Sequence, residues 1–217
     1  MNVLVACEES QEVCKAFRAK GHNAFSCDLQ PCSGGHPEWH IMQDVLPLLN
    51  GHCMFTTIND ELHVIEEWNL IIAHPPCTYM CKASAKHMYP QPGIIDQLRY
   101  REAVKARKLF MMFYNLENVK VCIENPTPLK CVMLPKETQA IQPYQFGDPY
   151  TKRTCLWLKN LQPLVPTNIV EPLAPYVPSF TSRKLHEKYG AAKRGDDSKN
   201  RSKTFPGIAQ AMADQWG

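Results

Sequence analysis

The sequence predicts an α/β fold, a mostly parallel sheet with helices on both faces. Three observations carry that expectation. The chain opens with an apolar run (Asn2 to Ala6), a polar turn, a helical stretch and a second β-prone run that ends on the acid Asp28. Two later runs, Trp68 to Ala73 and Val119 to Ile123, are apolar almost throughout, as strands buried on both faces are. Between those runs lies the longest helical pattern of the chain, over residues 96–116.

At 217 residues the chain is long enough for one well-buried domain, or for one domain with a small appendage. Its 44% hydrophobic and 21% charged residues suit a soluble globular protein, and a net charge of +3 is too small to identify a partner. No apolar run approaches the roughly eighteen residues of a membrane span, and the start lacks the basic flank of a signal peptide. A cytoplasmic protein with no membrane partner is expected. Five of the ten cysteines (Cys7, Cys14, Cys27, Cys122, Cys155) fall in apparent strands or helices, which suits reduced thiols better than a disulfide framework. Most of the eighteen prolines follow residue 125, so the back half is expected to be rich in loops.

Taken in order, Asn2 to Ala6 is the first strand and Cys7-Glu8-Glu9-Ser10 a polar turn. Gln11 to Lys20 carries Val13, Ala16 and Phe17 at helical spacing and stops at Gly21, a C-cap signal. Asn23 to Cys27 is a strand finishing on Asp28. This pattern opens a nucleotide-binding βαβ unit, in which the first turn approaches the cofactor and the acid takes a ribose hydroxyl. No G-x-G-x-x-G is present, so a pyrophosphate site is not expected; an adenosyl cofactor without phosphate asks less of the loop. Residues 29–43 read as irregular. Cys27, Cys32, His36 and His40 are spaced like a zinc ligand set, but Cys27 belongs to the preceding strand and would point into the sheet, so no metal is expected. Asp44-Val45 begins a short element, and Asp44 is either an adenine contact or a helix N-cap.

Cys53 to Ile58 and Leu62 to Ile65 form a hairpin about Asn59-Asp60-Glu61. The next strand, from Trp68, runs into His74-Pro75-Pro76-Cys77. Proline donates no ladder hydrogen bond, so the strand ends there, at the rim where open α/β sheets bind ligands. Cys77 is placed as a nucleophile, or equally as a small residue in a tight turn. Lys82 to Gly93 is a polar stretch too long for a mere connector. The basic residues of helix 96–116 read as a solvated face. Val119 to Ile123 ends in Glu124-Asn125-Pro126, and Glu124 either shares a crevice with Cys77 or satisfies backbone amides. Tyr150-Thr151-Lys152-Arg153-Thr154 leads into a strand, Cys155 to Leu158. Residues 159–180 are proline-punctuated coil. The Lys- and Arg-rich residues 183–203 are disordered in the free protein or ordered on a polyanion. A last helix runs from Ile208 to Trp216.

These motifs, in this order, resemble the cytosine-5 DNA methyltransferase family, especially its short phage and prophage members. Val3 to Glu9 falls at the family's first S-adenosylmethionine loop, Asp28 at the acid after the second strand and Asp44 at the acid that reads adenine. His74-Pro75-Pro76-Cys77 matches the Pro-Cys motif and Ile123-Glu124-Asn125-Pro126 the Glu-Asn motif. Thr151-Lys152-Arg153-Thr154 resembles a reduced arginine motif, and Phe205-Pro206-Gly207-Ile208-Ala209 the last motif. Two departures stand out. The first loop has no glycine, and only residues 155–204 fill the gap where the family carries a large target-recognition region.

The resemblance implies a Rossmann-like methyltransferase fold with a catalytic domain over 1–158, a reduced recognition segment over 159–203 and a helix over 204–217 packing back on it. It implies S-adenosylmethionine as cofactor, held by Ala6, Cys7, Glu8 and Glu9 of the first loop. Asp28 and Leu29, Asp44 and Val45, and His74 and Pro75 would complete that site. Catalysis falls to Cys77, Glu124 and Arg153, with Pro76 shaping the turn. The thiolate would add to C6 of cytosine, Glu124 would hold or protonate N3, and Arg153 would bind O2. The partner is DNA, as a duplex with a flipped base or a single strand, met by Lys82, Lys86 and Lys152 and by Arg183, Lys184, Lys193, Arg194, Arg201 and Lys203. A homodimer or a separate recognition partner would complete the surface, in the cytoplasm of a bacterial host for a phage-encoded chain. An adenine-N6 or cytosine-N4 methyltransferase is the alternative enzyme; His74 fits it poorly, and it leaves Glu124 without a task. A binding module without catalysis is the alternative of another class.

Overall fold

The computed structural model describes residues 1–175 and 202–217. In chain order it contains β1 (Asn2–Ala6), α1 (Glu12–Ala19), β2 (Asn23–Asp28), β3 (His40–Met42) and the hairpin β4 (Cys53–Thr56) and β5 (Leu62–Ile65). β6 (Leu70–Ala73), α2 (Ala85–Met88), α3 (Gln97–Tyr114) and β7 (Lys120–Pro126) follow. β8 (Gln139–Ile141), β9 (Tyr150–Thr151), β10 (Thr154–Lys159), β11 (Ala174–Pro175) and α4 (Pro206–Trp216) complete the described chain. Seven strands form the central sheet in the order β3-β2-β1-β6-β7-β10-β8. All neighbours are parallel except β10, which runs antiparallel to both β7 and β8. The protein is α/β with a mostly parallel sheet, as expected.

The apolar strands are buried on both faces, and residue parity assigns each face its helices. Leu4, Ala6, Ile71, Ala73, Val121 and Ile123 pack with Phe110 and Phe113 of α3 and with Phe55 and Ile65 of the hairpin. Val3, Val5, Leu70, Ile72 and Cys122 pack with Val13 and Phe17 of α1 and with Ile208, Met212 and Trp216 of α4. Each of the Val, Leu, Ile, Phe and Met side chains among them contributes about 1.5–3 kcal/mol when fully buried. α4 is seated tightly: a Cβ on Gly207 would stand 1.9 Å from the Phe146 carbonyl oxygen, so only glycine fits.

Several elements differ from the sequence expectation. β3 lies in a segment expected to be irregular, and β8 arises where no strand was expected; both are three residues long, too short for periodicity to register. β7 does not stop at Ile123. It runs through Glu124 and Asn125 because β10 pairs alongside, with Leu156 opposite Glu124. The polar stretch after Cys77 folds into a 3-10 turn, Lys82–Ser84, and α2.

The zinc-like residues do not converge. Cys27 is buried and donates to the Gln43 carbonyl, while His40 bonds Ser26 and the Gln30 carbonyl. His36 stacks on Trp39 and bonds Glu38. Among the described residues no group of three or more His, Cys, Asp or Glu could hold a metal, and no helix is long and apolar enough to cross a membrane.

Candidate functional site

The order of strands sets the site. The chain builds β1, β2 and β3 outward in one direction and β6 and β7 in the other, so the sheet reverses between β1 and β6. At such a switch point the loops leaving neighbouring strands part and open a crevice beyond their carboxyl ends. A cleft of about 320 Å³ lies there. Cys7 and Glu8 after β1, Asp28 after β2 and His74 to Cys77 after β6 line it. Glu124 and Asn125 of β7, Lys152, and Ser202 and Thr204 ahead of α4 close it.

The first loop keeps a glycine-like backbone without glycine. Cys7 and Gln11 both have left-handed φ angles, 59° and 61°, a conformation that costs a non-glycine residue about 1–2 kcal/mol. Side-chain bonds hold Gln11 there: its amide donates to the His36 carbonyl at 2.8 Å and accepts the His36 N–H at 3.1 Å. The amino end of α1 has no conventional cap. The Val13 and Cys14 N–H groups donate instead to the buried Glu8 carboxylate, at 2.7 and 3.2 Å. That carboxylate takes the amides with which a helix amino terminus grips phosphate. Burial nonetheless raises the Glu8 carboxyl above its ordinary value.

After β6, the His74 N–H still donates to the Ala6 carbonyl at 2.9 Å, and the chain then leaves the sheet on the prolines. The buried Asn125 amide donates to the Pro75 carbonyl at 3.1 Å, tying the turn to β7. Cys77 is half-buried, and its carbonyl accepts the N–H groups of Met80 and Cys81. The two thiols shift one another in opposite directions. Cys81 is held low by its bond with Cys77 and by the Ala83 and Ser84 N–H groups, whereas the Cys81 sulfur, burial and Glu124 push Cys77 up. Cys77 therefore rests as a thiol.

Glu124 and His74 form a buried pair, His74 Nδ1 to Glu124 Oε2 at 3.3 Å, with side chains 9% and 15% exposed. Burial opposes charge on both. The bond and the charge of the partner prevail, aided at His74 by Glu8 and at Glu124 by Lys152. The His74 imidazole is raised and the Glu124 carboxyl lowered, the signature of an ion pair.

The basic motif is arranged differently from the expectation. Arg153 points away from the cleft: Nη2 meets Glu137 at 2.5 Å and Nη1 donates to Thr127 Oγ1 at 3.1 Å. Its neighbour Lys152, expected at the DNA backbone, lines the cleft, and its charge acts on Glu124, His74 and Cys77. Asp28 lines the cleft and accepts the Gln30 N–H at 2.9 Å, with Leu29 beside it 75% exposed. Asp44 does not line the cleft. Its carboxylate accepts the Leu46 N–H at 3.0 Å, and Val45 is part of the core. The Asp44 charge still reaches Cys7, which burial, Asp28 and Asp44 together push up to about 12. Ala6 is buried in the sheet and Pro76 is exposed at the cleft.

Lys82 is exposed on the 3-10 turn and Lys86 on α2, and Lys203 is half-buried. Arg183, Lys184, Lys193, Arg194 and Arg201 lie outside the described residues. Sequence reasoning assigned no role to Cys81 and no capping role to Glu8. The second had a signal, an acid four residues ahead of a helix start that lacks Ser, Thr, Asp or Asn. No protein-family model matches the chain, and no curated protein matches it.

Proposed function

We propose that the chain is an S-adenosylmethionine-dependent methyltransferase acting on C5 of cytosine in DNA, through a covalent bond between Cys77 Sγ and C6. One observation carries the reading: adjacent parallel strands deliver Cys77 and Glu124 to the same cleft at the switch point, with Lys152 beside them. As Sγ adds to C6 its proton passes to the neighbouring Cys81 sulfur, the C5=C6 pair shifts toward C4 and N3 takes a proton through Glu124, leaving C5 nucleophilic. Lys152, rather than Arg153, supplies the positive charge facing the base. S-adenosylmethionine supplies the methyl group. Water takes the C5 proton, N3 returns its proton through Glu124, and the expelled Cys77 sulfur regains its proton from Cys81, which restores the ring.

The residues suit a cofactor without phosphate. Glu8 fills the α1 amino end and repels an anion, Asp28 offers a ribose contact, and the exposed Leu29 offers apolar surface to adenine. A stacked base cannot reach Cys77, so the substrate is flipped or single-stranded, and exposed Lys82 and Lys86 give salt-sensitive phosphate contacts. Mass spectrometry of nucleosides from DNA incubated with the protein and S-adenosylmethionine tests the reading, which expects 5-methylcytosine. N4-methylcytosine or N6-methyladenine would move it to the amino-methyltransferases. No product, with no cofactor binding by calorimetry, would leave a binding module.

A further inference from the structure

We infer that His74 is the proton reservoir for Glu124: as Glu124 protonates N3 of the base, Nδ1 of His74 passes its proton to Glu124 and recovers it when the ring is restored. This rests on the proposed function and assigns His74 to the base rather than to the cofactor. The two side chains are the ends of neighbouring strands, 3.3 Å apart and largely shielded from water. The titratable groups facing His74 are Glu124 on β7, Glu8 after β1, Lys152 ahead of β10 and, as a thiol, Cys77 on the same turn. Of these, Glu124 is the hydrogen-bond partner of the His74 ring, whose Nε2 is buried with no partner among the described residues.

The need for a reservoir follows from charge. His74 and Lys152 hold Glu124 ionised, so it carries no proton of its own to give when N3 becomes basic. A protonated imidazole in hydrogen-bond contact removes that difficulty. Sγ–C6 forms, the π electrons end as a lone pair on N3, and the one proton of the pair moves from Nδ1 through Glu124 to N3, leaving His74 neutral and Glu124 a carboxylate. Elimination returns the N3 proton through Glu124 to His74, so the one proton released to solvent in the cycle is the one lost from C5. His74 touches neither substrate nor cofactor in this scheme; it is a positioning and proton-supplying residue.

The test is the pH dependence of methylation by wild type and His74→Asn, whose amide keeps a donor near the Nδ1 position but does not titrate. Wild-type kcat is expected to fall as pH rises beyond about 6.5, through the raised His74 value. In His74→Asn, kcat drops on the order of 10²-fold and that limb disappears, while KM for DNA changes less than about twofold. NMR titration of the His74 ring in wild type and Glu124→Gln gives a readout without turnover and serves if His74→Asn fails to fold. The ring must titrate above its ordinary value in wild type and fall in the variant. An active wild type whose pH profile His74→Asn preserves, or a His74 titration that Glu124→Gln does not move, overturns the inference alone. A wild type inactive on every cytosine substrate overturns the function first, and the role of the pair with it.

Discussion

The Asn125 side-chain amide donates to the Pro75 carbonyl at 3.1 Å, in a buried position between the strands that carry Cys77 and Glu124. This bond fixes the distance between the two groups on which the proposed chemistry depends. Asn125→Ala leaves a buried carbonyl without its donor, at a cost of about 1–3 kcal/mol. For a chain of this size that lowers Tm by roughly 2–4 °C per kcal/mol. Methylation is expected to fall further than stability alone requires, on the order of 10²-fold, because a nucleophile misplaced by an ångström loses that much. Activity at 20 °C beside a thermal melt separates the two effects.

Lys152 and Arg153 are neighbours with different tasks. Lys152→Ala removes the lysine charge from the cleft and is expected to lower kcat on the order of 10²-fold with little change in Tm. Arg153→Ala breaks an ion pair of which the arginine is 43% exposed, so it should cost no more than about 1 kcal/mol and leave most activity. Steady-state kinetics of the two variants check this, and the reverse ranking would restore Arg153 to the site.

The His74–Glu124 pair gives stability a pH window. Glu124 titrates below its ordinary 4.5 in the fold, so its contribution is present above that value and is lost as pH falls through the folded value. His74 titrates above its ordinary 6.5, so its contribution is full below that value and is lost as pH rises through the folded one. The difference in Tm between wild type and Glu124→Gln should therefore peak between about 4.5 and 6.5 and shrink on both sides. Melts across pH 4 to 9 read it directly.

Glu8 works as a helix cap reached from outside the helix. Glu8→Ala unties the Val13 and Cys14 amides and should destabilise the fold by about 1–2 kcal/mol. Glu8→Gln, which keeps an acceptor oxygen and sheds a buried charge, should recover most of that. Chemical denaturation of both variants tests the assignment.

Cys77 and Glu124 are legible in the sequence because proline marks the end of each apolar run, and the sheet order then makes the two runs neighbours. Asp28 is legible for a similar reason, as an acid closing a strand. Which of Lys152 and Arg153 faces the cleft is not legible, since it depends on Glu137, distant in sequence and in a segment without periodicity. Asp44 satisfies a local N–H, the alternative its position already allowed. The missing glycines hid a loop that keeps left-handed geometry at Cys7 and Gln11 and holds the latter with side-chain bonds.

The central claim is a covalent bond from Cys77 to C6 of cytosine, and trapping tests it most directly. DNA containing 5-fluorocytosine blocks the loss of the C5 substituent, so the adduct persists after methyl transfer. With S-adenosylmethionine present, wild type is expected to give a protein–DNA species that survives denaturing electrophoresis, with the cross-linked peptide containing Cys77, and Cys77→Ala none. Methylation of cytosine C5 by Cys77→Ala, or an adduct at any other residue, would contradict the account.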